Sequence, residues 1–294
     1  MLKKEKEFMP NIFEETNYIL KKYNIRANKS LGQNFLINQN VIDEIVNGAQ
    51  ISKDDLVIEI GPGLGTLTKA LLQRAGKVIC IELDERMVKI LNDRFSLYKN
   101  FEIINDDVLK VDLNKIIEKE NKKCKIVANL PYYITTPIIM KLLENKLNIE
   151  SITVMIQKEV AERLIATPGE KLSGAITYTV YYYCESEKIM EVPPESFIPE
   201  PEVTSEVIKL NLRKSSPVEV NDMKKMFSII KVAFMQRRKT LLNALTNGNI
   251  INNKQEATEM FNNLKINPNA RAEELTLQQF AELANYITNK KENK

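Results

Sequence analysis

Four consecutive residues, Asn129-Leu130-Pro131-Tyr132, have types and spacing that suit chemistry on a nucleobase. Proline keeps the residue before it extended and has no N–H group of its own. The Leu130 carbonyl and the Asn129 side-chain oxygen can therefore accept both hydrogens of a planar exocyclic amine and localise its lone pair. Tyr132 could stack on the attached base. The alternative for this segment is a proline turn among core aromatics.

A glycine-rich segment, Gly61-Pro62-Gly63-Leu64-Gly65, lies between a predicted strand at 56–60 and a predicted helix from Thr66 to Ala75. Glycines allow a sharp turn and the close approach of a ligand. The N-terminus of the following helix can bind an anion. Since NAD, FAD and S-adenosylmethionine are all bound by such loops, this segment alone leaves the cofactor open.

Acidic residues end the next two predicted strands. Glu82 could accept hydrogen bonds from both hydroxyls of a ribose. Asp106 and Asp107 follow the third strand, and one of them could accept from an adenine amino group. Because parallel strands present their carboxyl ends at one edge of the sheet, these residues predict a nucleoside pocket there.

The elements that must position these residues alternate between strand and helix. Short apolar segments predict five strands, and helical patterns lie between them. We predict an α/β fold with a mostly parallel sheet and an antiparallel pair of edge strands at 177–183 and 207–212. The five strands are predicted at 56–60, 77–81, 101–104, 124–128 and 151–155, with helices at 66–75 and 84–95.

The composition changes after Arg213, where Ser215-Ser216-Pro217 forms a break and only helical periods follow. Residues 223–234 have apolar side chains at helical spacing. Thr276 to Gln279 is a capping box that predicts the start of a last helix. We predict three regions: an N-terminal extension at 1–28, an α/β domain at 29–214 and a small all-helical domain at 215–294.

Composition excludes several classes of chemistry. The 294 residues include no histidine, which removes every catalytic triad and metal site that uses this residue. Cys80, Cys124 and Cys184 form no CxxC pair, so we expect no disulfide framework, no metal and a reducing compartment. The charged segment Met1–Phe8 is unlike a signal peptide, and no stretch is apolar enough to span a membrane. We therefore expect a cytoplasmic protein.

With these motifs the sequence resembles the ribosomal RNA adenine dimethyltransferases, and within them the bacterial enzymes of the small subunit. The likeness covers the chain from about Lys29 to the last helices. It includes the N-terminal motif Lys29–Leu36 and the loop Phe197–Pro201. The chain departs from the usual pattern at Thr204, where aspartate is common, and at Glu202. The matching residues are Gly61, Gly63, Gly65, Glu82, Asp107 and Asn129-Leu130-Pro131-Tyr132.

The resemblance implies a Rossmann-like class I methyltransferase domain that uses S-adenosylmethionine and releases S-adenosylhomocysteine. Asn34 and Leu36 would also line the cofactor site, and Phe197 would cover the face of the target adenine opposite Tyr132. The implied substrate is a pair of adjacent adenines in a 3′-terminal hairpin loop of 16S rRNA, each dimethylated during small-subunit biogenesis. We expect a monomer that acts without a membrane or a metal.

A basic group, Arg237, Arg238 and Lys239, is predicted to lie on a helix and to contact RNA phosphates. From residue 217 onward the chain has 12 Lys and Arg against 8 Asp and Glu, an excess of +4 on a chain whose net charge is +3. The family has a similar segment at this place. The alternative is a solvated helical face.

Three other functions fit part of the pattern. A large-subunit (23S) adenine methylase of the macrolide-resistance type would share the fold and the cofactor. A nicotinamide oxidoreductase fits the glycine loop and Glu82 but leaves Asn129 and Tyr132 unexplained. A non-catalytic ribosome-assembly factor would need only the RNA surface.

Overall fold

The computed structural model of the protein describes residues 11–28, 32–145, 147–252 and 254–292. The charged segment Met1–Phe8 and the motif residues Lys29, Ser30 and Leu31 lie outside the described residues.

Nine strands are present in the described part of the chain, together with α-helices and short 3₁₀ turns. The strands are β1 (Phe35–Leu36), β2 (Leu56–Ile60), β3 (Lys77–Glu82), β4 (Phe101–Asn105), β5 (Cys124–Asn129), β6 (Ile149–Gln157), β7 (Cys184–Val192), β8 (Phe197–Ile198) and β9 (Ser205–Leu212). The helices are α1 (Ile12–Lys22), α2 (Gln39–Gly48), α3 (Thr66–Arg74), α4 (Glu85–Phe95), α5 (Leu113–Glu120), α6 (Thr135–Glu144), α7 (Lys158–Ile165), α8 (Ala175–Tyr183), α9 (Met223–Met235), α10 (Leu241–Asn247), α11 (Lys254–Asn263) and α12 (Leu277–Glu292).

Seven strands form one sheet in the order β4-β3-β2-β5-β6-β9-β7. The interior strand β2 is buried along its whole length and pairs in parallel with β3 and β5. The five predicted strands and the mixed, mostly parallel sheet with an antiparallel edge are confirmed. A buried parallel strand needs mostly apolar side chains on both faces, and four of the five residues of β2 are apolar.

The register brings the ends of three strands level. Ile60, the last residue of β2, lies opposite Ile81 of β3 and Ala128 of β5. Gly61, Glu82 and Asn129 therefore follow at the same edge of the sheet. A second, two-stranded sheet pairs Leu36 of β1 with Phe197 of β8.

The predicted strand at 177–183 is wrong, because these residues lie in helix α8. Tyr178 is fully buried, its ring packs against Phe234 and Phe280, and its hydroxyl donates to the carbonyls of Ala272 and Leu275. Tertiary packing thus overrides the β-propensity of this aromatic and β-branched segment. The edge strand β7 begins at Cys184, the residue that directly follows helix α8. The prediction for 207–212 is confirmed within β9.

The chain divides into two compact units. The first contains the described residues up to Lys158 together with Lys188–Lys209, and the second contains Glu159–Glu187 and the residues from Leu210 onward. The second unit therefore includes α7 and α8 besides the C-terminal helices. As a statement about separately folding domains, the division at residues 28 and 214 stays a prediction.

Helix α1 is tied to the glycine-rich segment by a largely buried charge cluster. The helix begins in a capping box between Asn11 and Glu14. Glu15 accepts from Lys69 of α3 at 3.0 Å and also pairs with Arg94 of α4. The Arg94 guanidinium, whose side chain is 12% exposed, donates to the Leu64 carbonyl as well. Burial lowers the pKa of Arg94, and Glu15 opposes that effect.

No helix in the described ranges is long and apolar enough to cross a membrane.

Replacing Glu15 by alanine should lower the free energy of unfolding by about 2 kcal/mol, because it leaves the Arg94 charge buried without its carboxylate. Urea denaturation at neutral pH measures this change. Glu44, an exposed glutamate on α2, provides the control. Glu44→Ala should change the stability by less than about 0.5 kcal/mol. Equal stabilities of the two variants would contradict the assigned role of the Glu15–Arg94 pair.

Candidate active site

A cavity opens at the carboxyl edge of the sheet, within the first unit. Its space is about 1100 Å³, including open solvent at the mouth. The structure brings most of the predicted site residues together here. Those that line the cavity are Asn34, Leu36, Gly61, Gly63, Glu82, Asp107, Asn129, Leu130, Pro131 and Tyr132.

The glycine-rich segment forms the floor of this cavity. Gly61 has a φ of +67° and Gly63 a φ of +57°, which are backbone conformations that residues other than glycine rarely adopt. An added Cβ at Gly63 would lie 3.5 Å from the Phe35 ring. The segment therefore exposes its backbone to the cavity, and helix α3 follows with its N-terminus directed to the same place.

Gly65 is not among the residues that line the cavity. It is the N-cap residue of α3, with a φ of +83°, and an added Cβ would lie 2.5 Å from Phe95 and 2.7 Å from Leu91. The third glycine of the motif thus allows α4 to pack closely behind the loop. Its predicted role in binding the cofactor stays a prediction.

Glu82 is 7% exposed and faces the loop. Its carboxylate accepts from the Gly63 N–H at 3.2 Å and from the Asp84 N–H at 2.8 Å. Burial raises the pKa of Glu82, while these two backbone donors lower it. A carboxylate can accept about four hydrogen bonds, so two further donors, such as the hydroxyls of a ribose, can bind to it.

Asp107 lies after β4 at the same edge. One carboxylate oxygen of Asp107 accepts from the Leu109 N–H at 2.9 Å, and its backbone N–H donates to Asp106 at 2.7 Å. The second oxygen of Asp107 has no partner in the described part of the chain. Both acids line the cavity, as the sequence predicts.

Asn129 is fixed by one long-range hydrogen bond. Its side-chain nitrogen donates to the Asn34 carbonyl at 3.3 Å, across 95 residues of sequence. Because only the amino group can face a carbonyl oxygen, the amide oxygen must point the other way. Within the described residues no donor reaches this oxygen or the carbonyl of Leu130. Two acceptors from consecutive residues are therefore available at the cavity.

The aromatic residues of the motif differ in their surroundings. Tyr132 is half-buried, and its hydroxyl forms a 2.7 Å hydrogen bond with Ser205. Burial raises the pKa of Tyr132, so the phenol stays protonated at neutral pH. Tyr133 lines the cavity too but is 58% exposed.

Phe197 is buried in this structure, and its implied role at the target adenine stays a prediction. It is 1% exposed, packs in the apolar core with Phe35 and Leu36, and does not line the cavity. The pairing of β8 with β1 holds its side chain in this core. As the structure stands, Phe197 supports the wall formed by β1 and offers no ring face to a base.

The basic group Arg237, Arg238 and Lys239 belongs to the second unit and lies in a turn after α9, not on a helix as predicted. The helix ends at Met235, and the Lys239 N–H donates to the Gln236 carbonyl. All three side chains are exposed, and the Arg237 guanidinium approaches the Ser173 carbonyl at 3.4 Å.

Sequence reasoning missed Glu59, which also lines the cavity. Glu59 is the fourth of the five residues of the buried strand β2. A charged residue within an otherwise apolar strand is the sequence signal that points to it. Its carboxyl oxygen lies 3.5 Å from the Cys80 sulfur. Burial raises the pKa of Glu59 to about 7, and the nearby Glu82 carboxylate adds to the effect.

An open parallel sheet with a glycine loop, an acid after the next strand and an amine-accepting motif after β5 is the arrangement of a class I methyltransferase. Two solved structures have this fold over most of their length. A dimethyladenosine transferase from Plasmodium falciparum is 28% identical, with a TM-score of 0.74 and coverage of 87% of this chain and 98% of its own. The 23S rRNA methyltransferase ErmE is 25% identical, with a TM-score of 0.68 and coverage of 87% and 100%.

The family model described as ribosomal RNA adenine dimethylase matches residues 24–289. A protein of Alkaliphilus metalliredigens, named ribosomal RNA small subunit methyltransferase A, is 48% identical over 93% of this chain and 96% of its own. A Clostridium botulinum protein of the same name is 47% identical over 92% and 98%. The chain therefore belongs to the ribosomal RNA adenine dimethylase family.

The buried Glu59 predicts an unusual pH dependence of stability. Its folded pKa of about 7 lies above the unfolded value of 4.5, so the native state keeps a proton that the unfolded state loses between these values. Stability should therefore fall as the pH rises from about 4.5 through 7. Glu59→Gln removes this loss, so relative to the wild type it should gain on the order of 2–3 kcal/mol between pH 5 and pH 8.

Urea denaturation at both pH values measures this difference. Glu44→Gln, on the surface of α2, is the matched control, and its stability relative to the wild type should be the same at pH 5 and pH 8. A wild type and a Glu59→Gln variant with parallel pH profiles would mean that Glu59 is ionised in the folded protein.

Proposed function

We propose that this protein transfers methyl groups from S-adenosylmethionine to the exocyclic amines of two adjacent adenines in a 3′-terminal hairpin loop of 16S rRNA, dimethylating each. The single observation that carries the chemistry is a pair of acceptors at the edge of the cavity, the Asn129 amide oxygen and the Leu130 carbonyl, which have no donor among the described residues. Membership of the family supports the reaction class. The names of the 46–48% identical relatives support the small ribosomal subunit as the substrate.

The residues of the cavity fit the cofactor. The backbone of Gly61 and Gly63 and the N-terminus of α3 would hold its carboxylate. Glu59 would meet its ammonium group and ionise in the complex. The remaining acceptor capacity of the Glu82 carboxylate suits the ribose hydroxyls, and the second oxygen of Asp107, which has no donor among the described residues, suits the adenine amino group. When bound, the cofactor supplies an electrophilic methyl group on a sulfonium.

Asn129 and Leu130 would hold the target amine by accepting its two hydrogens. Its lone pair, otherwise delocalised into the purine ring, would then point at the methyl group. Positioning of this kind can supply roughly 7–11 kcal/mol of the barrier reduction. The site therefore needs no strong base, and a chain without histidine can perform the reaction. The methylated amine loses its extra proton to water.

Tyr132 would stack on the adenine after it swings out of the RNA loop, as base-modifying enzymes require. Its ring is suited to this because the hydrogen bond to Ser205 fixes its orientation beside the acceptors. We propose that the exposed cations Arg237, Arg238 and Lys239 contact phosphates of the folded RNA. Work on a ribosomal subunit would take place in the cytoplasm, and we expect the protein to act as a monomer.

A 23S rRNA adenine methylase is the second candidate, because the ErmE structure has the same fold and covers most of this chain. The higher identity of the small-subunit relatives, at greater coverage, favours 16S rRNA. Primer extension along both rRNAs, with and without the protein, separates the two. A stop at adjacent adenines near the 3′ end of 16S rRNA supports the proposal, and a stop within 23S rRNA overturns it.

Asn129→Ala should lower the rate of methyl transfer at least about 100-fold, because it removes an acceptor that acts on the amine at the moment of transfer. Its affinity for S-adenosylhomocysteine should change little. Glu82→Ala is the matched comparison, since it should weaken that affinity at least about tenfold. Transfer of tritiated methyl groups and calorimetric titration measure the two properties. Wild-type activity of Asn129→Ala would refute the role of the motif.

Replacing Arg238 and Lys239 by glutamine should weaken binding to small subunits and reduce the slope of log affinity against log salt. Each lost phosphate contact reduces that slope by roughly 0.7–0.9. Filter binding at several salt concentrations measures it. The control is a double variant, Lys224→Gln with Lys231→Gln, which also removes two positive charges. Both lysines are exposed on α9. Identical slopes for the two double variants would rule out a specific role of the turn.

A further inference from the structure

Two consecutive tyrosines follow Pro131 and differ sharply in exposure. They begin a 3₁₀ turn, Tyr132–Ile134, just after the acceptor pair. Tyr132 is half-buried and anchored to Ser205, whereas Tyr133 is 58% exposed. Both line the cavity, so Tyr133 presents its ring at the mouth.

The turn geometry gives the two rings different directions. A 3₁₀ helix has three residues per turn, so neighbouring side chains diverge by about 120°. One base therefore cannot lie against both rings. If Tyr132 stacks on the adenine inside the cavity, Tyr133 must face whatever lies outside it.

The ring of Tyr133 is supported on one side by backbone. An added Cβ at Gly32 would lie 3.5 Å from both Cδ1 and Cε1 of Tyr133 and 3.3 Å from Cβ of Pro131. Gly32 has a φ of +60° and carries no side chain that could cover the ring. The ring thus lies close to Gly32, while Tyr133 as a residue is 58% exposed.

The other aromatic side chains near the cavity are not available for this purpose. Phe35 lines the cavity but is 5% exposed, and Phe197 is buried in the core. Among the aromatic residues that line the cavity in the described ranges, Tyr133 is the most exposed. An exposed aromatic face beside a nucleobase site is a stacking platform, which binds any base because every base has a π-face.

We propose that Tyr133 is a second nucleobase site, which binds the base adjacent to the target adenine by stacking at the mouth of the cavity. This inference rests on the proposed function and specifies how the RNA strand is held. A neighbouring base stacked on Tyr133 keeps the strand splayed open while the target base is inside.

Tyr133→Leu tests the proposal, because leucine keeps an apolar contact with Gly32 but has no ring face. Its kcat/KM for methyl transfer to unmethylated small subunits should fall roughly 5- to 100-fold, the range that stacking of one base gives. Its affinity for S-adenosylhomocysteine should stay within about twofold of the wild type. Tyr133→Phe and Tyr133→Trp should retain most of the activity, since both keep an aromatic face.

Tyr18→Leu is the matched control, because Tyr18 is 64% exposed on α1 and does not line the cavity. Tyr133→Leu with the activity of Tyr18→Leu would overturn the inference. The inference would also fail if Tyr133→Leu lost affinity for S-adenosylhomocysteine by the same factor as kcat/KM. It would fail as well if Tyr133→Phe lost as much kcat/KM as Tyr133→Leu. Absence of methyl transfer by the wild-type protein would instead overturn the proposed function itself.

Discussion

The hydrogen bond from the Asn129 side chain to the Asn34 carbonyl is the interaction on which the site depends. It joins the end of β5 to the segment just before β1 and determines which end of the amide faces the cavity. Without it the amide could rotate and present its amino group, which cannot accept a hydrogen bond from another amine. The short pairing of β1 with β8 holds the Asn34 segment in place. The apolar core around Phe197 therefore contributes to the orientation of the Asn129 side chain.

Two buried acidic residues that line the cavity have raised pKa values. Glu59 lies within β2, Glu82 is the last residue of the neighbouring strand β3, and burial raises the pKa of both. Glu82 is stabilised as an anion by two backbone N–H groups, whereas Glu59 has the thiol of Cys80 beside it. A cationic ligand group near Glu59 would therefore favour its ionised form. Part of the cost of folding a carboxyl into β2 would then be offset when the cofactor binds.

The sequence was sufficient for features that depend on local patterns. The glycine loop, the apolar strands and the Asn-Leu-Pro-Tyr motif each fall within a few residues, and the parallel sheet then places their ends at one edge. Features that depend on distant contacts were not predictable. The Asn129 bond spans 95 residues, and the contact of Glu15 with Arg94 spans 79. The same holds for Tyr178, whose partners in the C-terminal helices make a strand-like sequence helical, and for the burial of Phe197.

The role of the two acceptors is tested most directly by a crystal structure of the protein with S-adenosylhomocysteine and an RNA fragment that carries the target adenine. The proposed mechanism requires that the Asn129 amide oxygen and the Leu130 carbonyl each lie about 3 Å from the exocyclic nitrogen, with the sulfur on the opposite side of that nitrogen from the purine ring. An amide turned so that its amino group faces the adenine, or a target base bound away from both oxygens, would contradict it.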